Sequence, residues 1–150
     1  MFDIIKCKAD ASRYGFDRFY LFDDVKGRIL QAENLQEAAK HKNKKALIML
    51  RDHAFDEGAI KIIAEKKKLC FLIDLGRLMN TKGVPRAVAM SKLRNFLRLC
   101  VKHGAFYAFA SFAEKENQIR TPDELVHIAM LFELNRGQAK FALRMLQHYL

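Results

Sequence analysis

Runs of apolar residues alternate with amphipathic ones along most of the chain. FDIIKC (2–7), RFYLF (18–22), ALIML (46–50), CFLIDL (70–75) and AFYAFAS (105–111) are short and nearly uninterrupted, the pattern of strands buried on both faces. The intervening segments carry helical spacing and helix punctuation. ADASRYG (9–15) reads as a short helix ended by Gly15, and Asn34 with Glu37 opens a helix at NLQEAAKHKN. In FDEGAIKIIAEKKK (55–68), Ile60, Ile63 and Ala64 share one face. A long helix is predicted from about Arg86 to His103, with Gly104 ending it and Ala89, Leu93, Phe96, Leu97 and Cys100 as its core stripe. Thr121-Pro122-Asp123-Glu124 combines an N-cap, a proline at the first helical position and a capping-box partner, so a helix runs from Pro122 to about Phe132. A last helix, capped by Asn135, runs from about Arg136 to His148.

Five strands separated by helices imply parallel pairing through right-handed crossovers. The expected class is α/β, an abbreviated TIM-barrel-like fold of about five parallel strands, its barrel incomplete or open. A chain of 150 residues suits one domain spanning 1–150, and 51% apolar content is enough for a core. No apolar run reaches the length of a membrane span, and MFDIIKCKAD lacks a signal layout, so a cytoplasmic protein without a membrane partner is expected. Cys7, Cys70 and Cys100 are odd in number, widely spaced and set among apolar residues, which suits reduced thiols better than disulfides or a zinc site.

Charge sharpens the picture. Lys and Arg number 27 against 17 Asp and Glu, a formal net charge of +10 that suggests a polyanionic partner. From Leu75 through Ala113 there is no acid, while Arg77, Lys82, Arg86, Lys92, Arg94, Arg98 and Lys102 all occur. Arg94, Arg98 and Lys102 stand at i, i+4 and i+8, roughly opposite the core stripe, since each step of four turns a helix by only ~40°. Like charges in a row cost stability on a bare helix, a cost that a phosphate backbone converts into affinity. Lys40–Lys45 and Lys66–Lys68 enter strands at the opposite end of the sheet and read as solvated runs. Val88 and Leu99 fall outside the core stripe, an apolar strip that a protein partner could cover.

The chemistry of a self-sufficient enzyme is missing from the pattern. The five histidines show no metal-ligand spacing, and neither phosphate-loop glycines nor a nucleophile elbow occurs. Asp23, Asp24, Asp52 and Asp74 lie at strand ends. With His53 they leave one alternative open, a metal-dependent phosphoesterase using Asp23, Asp52, Asp74 and His53. A scaffold whose charge is incidental is the other alternative.

One stretch, SFAEKENQIRTPDEL (111–125), sets a charged loop holding Ser111, Lys115 and Arg120 between the last strand and a well-capped helix. Its neighbours follow in order: CFLIDLGRLM, then KLRNFLRLCVKHG, FYAFAS, the loop itself, and LFELNRGQAKFAL. This series resembles ribonuclease P protein component 3, the barrel-like subunit of the archaeal and eukaryotic enzyme. That family shows Ser-(Ser/Gly)-Ala after its last strand, an Arg-(Ser/Thr/Tyr)-Pro helix start followed by acids and Leu, and a late Gln-Ala pair. Here Ser111 with Ala113, Arg120 through Leu125, and Gln138-Ala139 occupy those places. The match is good over roughly 55–150 and looser before it, where Gly15-Phe16-Asp17 is in a suitable position. Two features depart from the family. About two βα units are missing near residues 50–55, and Phe112 stands where the family has a small residue.

The resemblance implies a non-catalytic chain in a complex whose RNA removes the 5′ leader from precursor tRNA, using magnesium that the protein itself does not bind. It implies the ribonuclease P RNA and a small α/β protein subunit as partners, in a heterotetramer of two pairs, with precursor tRNA met indirectly. On this reading Arg77, Arg86, Arg94, Arg98, Lys102, Lys115 and Arg120 contact RNA, while Ser111, Val88 and Leu99 face a partner or support the loop.

Overall fold

A computed structural model describes residues 1–54 and 56–150. Phe55, at the head of the segment 55–68 and inside the stretch where the missing units were placed, lies outside the described residues. Among the described residues six parallel strands alternate with helices: β1 (Phe2–Ile5), β2 (Arg18–Leu21), β3 (Ile29–Ala32), β4 (Leu47–Leu50), β5 (Cys70–Asp74) and β6 (Phe106–Ala110). The α/β class with parallel strands is therefore as expected, with one strand more. β3 escaped the sequence pattern because Ile29-Leu30-Gln31-Ala32 has a polar residue at its third position and runs straight into Glu33-Asn34, so no uninterrupted apolar run marks it.

The strands form a pair, β1 with β2, and a four-stranded sheet ordered β3-β4-β5-β6. The two are joined beyond the end of β6, where the Phe112 N–H donates to the Ile4 carbonyl (2.9 Å) and the Lys6 N–H to the Ala113 carbonyl (2.8 Å). This ladder skips one carbonyl, so the β6 side carries an extra residue. Phe112 takes that place with φ 51°, a bulge in the left-handed region. The order is thus β2-β1-β6-β5-β4-β3. Among the described residues β2 and β3 do not pair; α1 (Phe22–Val25) and a single turn at Lys26–Arg28 connect them.

Alternate side chains of all six strands meet in one interior. Ile4, Tyr20, Ile29, Leu47, Cys70, Leu72, Ala108 and Ala110 form a single buried cluster, as the inward faces of a curled sheet would. Met145 and Leu146, in the turn that ends the chain, belong to the same cluster. Arg28 donates to the Leu150 carbonyl (3.1 Å) and Tyr149 to the Lys68 carbonyl (3.1 Å), tying that terminal turn to residues on either side. Leu146→Ala is expected to cost about 2–5 kcal/mol in a denaturation measurement, through the cavity it leaves.

The opposite strand faces carry Ile48, Leu50, Phe71, Ile73, Tyr107 and Phe109 into an outer core. Helices α2 (Leu35–Ala39), α3 (Glu57–Lys66), α5 (Gly83–His103), α6 (Pro122–Met130) and α7 (Arg136–Arg144) cover it. The predicted capping box of Thr121 with Glu124 forms, and Asn135 caps its helix as expected, with Gln138 returning the bond. Asn34 accepts the Glu37 N–H, but the Glu37 carboxylate reaches the Glu33 N–H instead of that of Asn34. The long helix starts a turn before Arg86 and ends at Gly104, as the sequence indicated. Leu99 does not lie on an exposed strip. It is 6% exposed in the outer core, in a cluster that also holds the α3 residues Ile60 and Ile63, because α3 packs against α5 and widens its buried face. Val88 is 50% exposed. Cys70 and Cys100 are buried free thiols, their ionisation pushed up by burial, while Cys7 is half-buried.

Candidate nucleic-acid interface

The C-terminal ends of parallel strands are where α/β proteins usually place their ligands. Here the short helix α4 (Leu75–Asn80), which follows β5 directly, divides that rim into two depressions. Asp74 starts α4 by accepting the Arg77 N–H (2.8 Å), and burial raises its carboxyl above the ordinary value. Arg86 donates to the carbonyls of Leu78 (3.4 Å) and Met79 (2.9 Å), closing the other end of α4. This predicted RNA contact is therefore engaged in a local cap.

On one side of α4 lies a cleft of about 220 Å³ between Gly76, Met79, Asn80 and the loop Ser111–Arg120. The loop is held from below. Ser111 is 2% exposed; its N–H (2.7 Å) and Oγ (2.5 Å) both donate to the Asp3 carboxylate, which is 0% exposed and also accepts the Ile4 N–H (2.8 Å). Burial lifts Asp3 to about 6 from an ordinary 3.8, against the opposing effect of the bonds from Ser111 and Ile4. The Ser111 side chain is thus committed to Asp3 and is not an external contact; its part is to fix the loop. A Cβ on Gly76 would stand 1.9 Å from the Ser111 carbonyl oxygen, so α4 and the loop meet backbone to backbone. Lys115 and Arg120, both exposed, line this cleft and form no ion pair among the described residues.

On the other side of α4 a cavity of about 590 Å³ opens between the ends of β4 and β5 and the first turns of α5. Its walls include Leu50, Leu72, Leu78, Val88 and Leu93, and its polar groups include Asp52, His53, Asp74, Arg77 and Lys92. Burial holds the His53 imidazole down to about 4, with Asp52 pulling the other way and Arg77 and Lys92 adding to the fall. The ring is neutral near pH 7 and packs edge-on against Phe96 at 4.9 Å. Lys92 pairs with Asp52 (3.2 Å) and Arg51 with Glu33 (3.3 Å). Arg77 is exposed and in no ion pair among the described residues.

The row on α5 stands apart from this rim, on the helical flank of the sheet. The acid-free stretch borrows its counter-charges from elsewhere: Arg94 pairs with Glu133 (3.7 Å) and Lys102 with Glu57 (2.8 Å). Glu57 also meets His103 at 2.8 Å, and its carboxyl is lowered chiefly by its bonds to Lys102 and His103. Arg98 bonds only Asn95 (3.1 Å) and makes no ion pair among the described residues. The structure therefore joins Arg77, Lys115 and Arg120 around α4, and leaves Arg98 as the unneutralised member of the row.

Of the residues considered for metal chemistry, Asp52, His53 and Asp74 line the larger cavity together, while Asp23 does not. Asp23 pairs with Lys26 (3.2 Å), Asp52 with Lys92, and Asp74 caps α4. Among the described residues no three His, Cys, Asp or Glu side chains group as metal ligands. Among the described residues, too, no helix is long and apolar enough to cross a membrane. Asp3 and Gly76, which set the loop, were missed in the sequence. The signal for Asp3 was available: an acid inside the apolar run FDII must find buried donors.

No family model matches this sequence, and no curated protein matches it by sequence. Its fold does match a solved structure. A chain in the cryo-EM structure of archaeal ribonuclease P with mature tRNA superposes with a TM-score of 0.67 over 99% of this chain, at 18% sequence identity. This chain spans 66% of the length of that one.

Proposed function

We propose that this chain is a non-catalytic protein subunit of ribonuclease P, positioned against the catalytic RNA by phosphate contacts. The observation that carries this reading is the superposition of nearly the whole chain on a chain of an archaeal ribonuclease P structure. The net charge of +10 and the cations around α4 support it. In this role the chain corresponds to component 3 of the enzyme and pairs with a small α/β subunit, two such pairs forming a heterotetramer. The RNA, with its magnesium, cleaves the 5′ leader from precursor tRNA, and the protein contributes register and orientation.

The decisive experiment is gentle purification of the tagged chain from its own host, followed by assay of the eluate on precursor tRNA. Magnesium-dependent leader cleavage that disappears on nuclease treatment supports the proposal. An eluate with neither RNA nor cleavage would leave only a shared fold.

Ion pairing ranks the cations. Arg98→Ala and Arg120→Ala should each weaken RNA binding and flatten its dependence on salt concentration, by roughly 0.7–0.9 in the logarithmic slope for each phosphate no longer neutralised. Lys102→Ala should change the slope less, because Glu57 already neutralises Lys102. Equal slopes for all three variants would remove this ranking.

A further inference from the structure

The larger depression at the rim has a chemistry that phosphate contacts alone do not use. We infer that the cavity between the ends of β4 and β5 and the start of α5 is a nucleotide-binding pocket, with a base against its apolar walls and a phosphate at Arg77. The volume of about 590 Å³ falls within the range of small-molecule sites. Leu78, Val88 and Leu93 offer apolar surface to the faces of a flat ring. The polar groups suit the edge of a base: Asp52 and Asp74 carry acceptors, and the neutral His53 ring has one donor and one acceptor nitrogen. Neither His53 nitrogen has a hydrogen-bond partner among the described residues.

Inserting a purely apolar side chain from a protein partner would strip water from His53 and Asp74 and return no hydrogen bond, an unfavourable exchange. A base supplies those bonds. Arg77 supplies the remaining requirement: an exposed guanidinium, free of an ion pair among the described residues, that also lines a shallower depression beside Gln31 and Glu33. A phosphate there would receive the paired N–H donors of the guanidinium.

The nucleotide could be free or an unpaired residue of an RNA chain, since proteins read single-stranded RNA by accepting splayed-out bases. The RNA case rests on the function proposed above, and the free-nucleotide case does not.

Amide NMR shifts of the full chain would be followed on titration with AMP, GMP, CMP and UMP singly, a mixed-sequence single-stranded oligoribonucleotide, and inorganic phosphate. Saturable shifts centred on residues 49–53, 72–78 and 84–93 with a mononucleotide would assign a free nucleotide; the same shifts with the oligonucleotide alone would assign an RNA residue. Arg77→Ala should weaken that binding by at least about tenfold. Val88→Trp, at an exposed helical position that tolerates replacement, should block it by filling the cavity mouth. Shifts with phosphate as strong as with nucleotides, no shifts at all, or undiminished binding by Val88→Trp would each overturn the inference. The precursor tRNA assay reads the subunit role separately: cleavage without nucleotide shifts sinks the pocket alone, and mononucleotide shifts without cleavage sink the subunit role alone.

Discussion

Gly76→Ala is expected to be the most damaging single-methyl change in this protein. The added carbon would lie 1.9 Å from the Ser111 carbonyl oxygen and 3.1 Å from its carbonyl carbon. Overpacking usually costs 1–3 kcal/mol because side chains can turn aside. Here the obstacle is backbone, and neither side is free to move. Gly76 lies in the first turn of α4, whose start is fixed by Asp74, and Ser111 is anchored through its N–H and Oγ to Asp3. A loss of about 3 kcal/mol or more in chemical denaturation is expected, or failure to accumulate as folded protein. Where folded protein can be recovered, its largest amide shifts should fall in 74–80 and 110–115. An alanine variant within about 0.5 kcal/mol of the parent would mean that α4 does not sit against the loop.

The second large effect belongs to Asp3, and its sign depends on the replacement. Asp3 is buried and ionises at about 6 rather than 3.8, chiefly through desolvation, with the nearby charge of Asp74 also raising it. Between those values the folded chain holds a proton that the unfolded chain releases. Stability from this group is therefore greatest below pH 3.8 and falls as pH rises through about 6, by on the order of 3 kcal/mol in all. Asp3→Asn keeps an acceptor for the Ser111 N–H and cannot ionise. It should remove that slope and leave the protein at least as stable at pH 7.5. Asp3→Ala deletes three bonds and strands the buried N–H and hydroxyl of Ser111, costing about 2–4 kcal/mol. Denaturation midpoints from pH 4.5 to 8 distinguish these outcomes; parallel curves for the parent and Asp3→Asn would exclude Asp3 as the titrating group.

These two residues fix the loop that carries Lys115 and Arg120. Lys115 and Arg120 protrude from the loop, but the loop's position is set beneath them by a carboxylate from β1 and by an absent side chain on α4. The bulge at Phe112 belongs to the same arrangement. Its φ of 51° is strained for any residue with a Cβ, and its ring turns into the interior, 5.7 Å from Phe22 in an edge-to-face contact. A glycine would fit that backbone with less strain and lose the packing.

Local signals lie within a few residues of one another, and those are what the sequence by itself determined. The apolar runs at 2–7, 18–22, 46–50, 70–75 and 105–111 all contain strands, Thr121 with Glu124 forms the capping box its spacing specifies, and Asn135 caps the last helix. The excess of positive charge needed no coordinates either. Everything that depends on meeting across the chain was decided by the tertiary structure. It supplied β3, whose four residues gain their stability from β4 rather than from periodicity. It buried Leu99 by packing α3 on α5, and it brought Glu133 and Glu57, both outside the acid-free stretch, to Arg94 and Lys102. It also brought Asp3 to Ser111, 108 positions away, and Gly76 to the same carbonyl. Hydrogen bonds, ion pairs and steric exclusion act over a few ångströms of space, and only the folded chain determines which distant residues come that close.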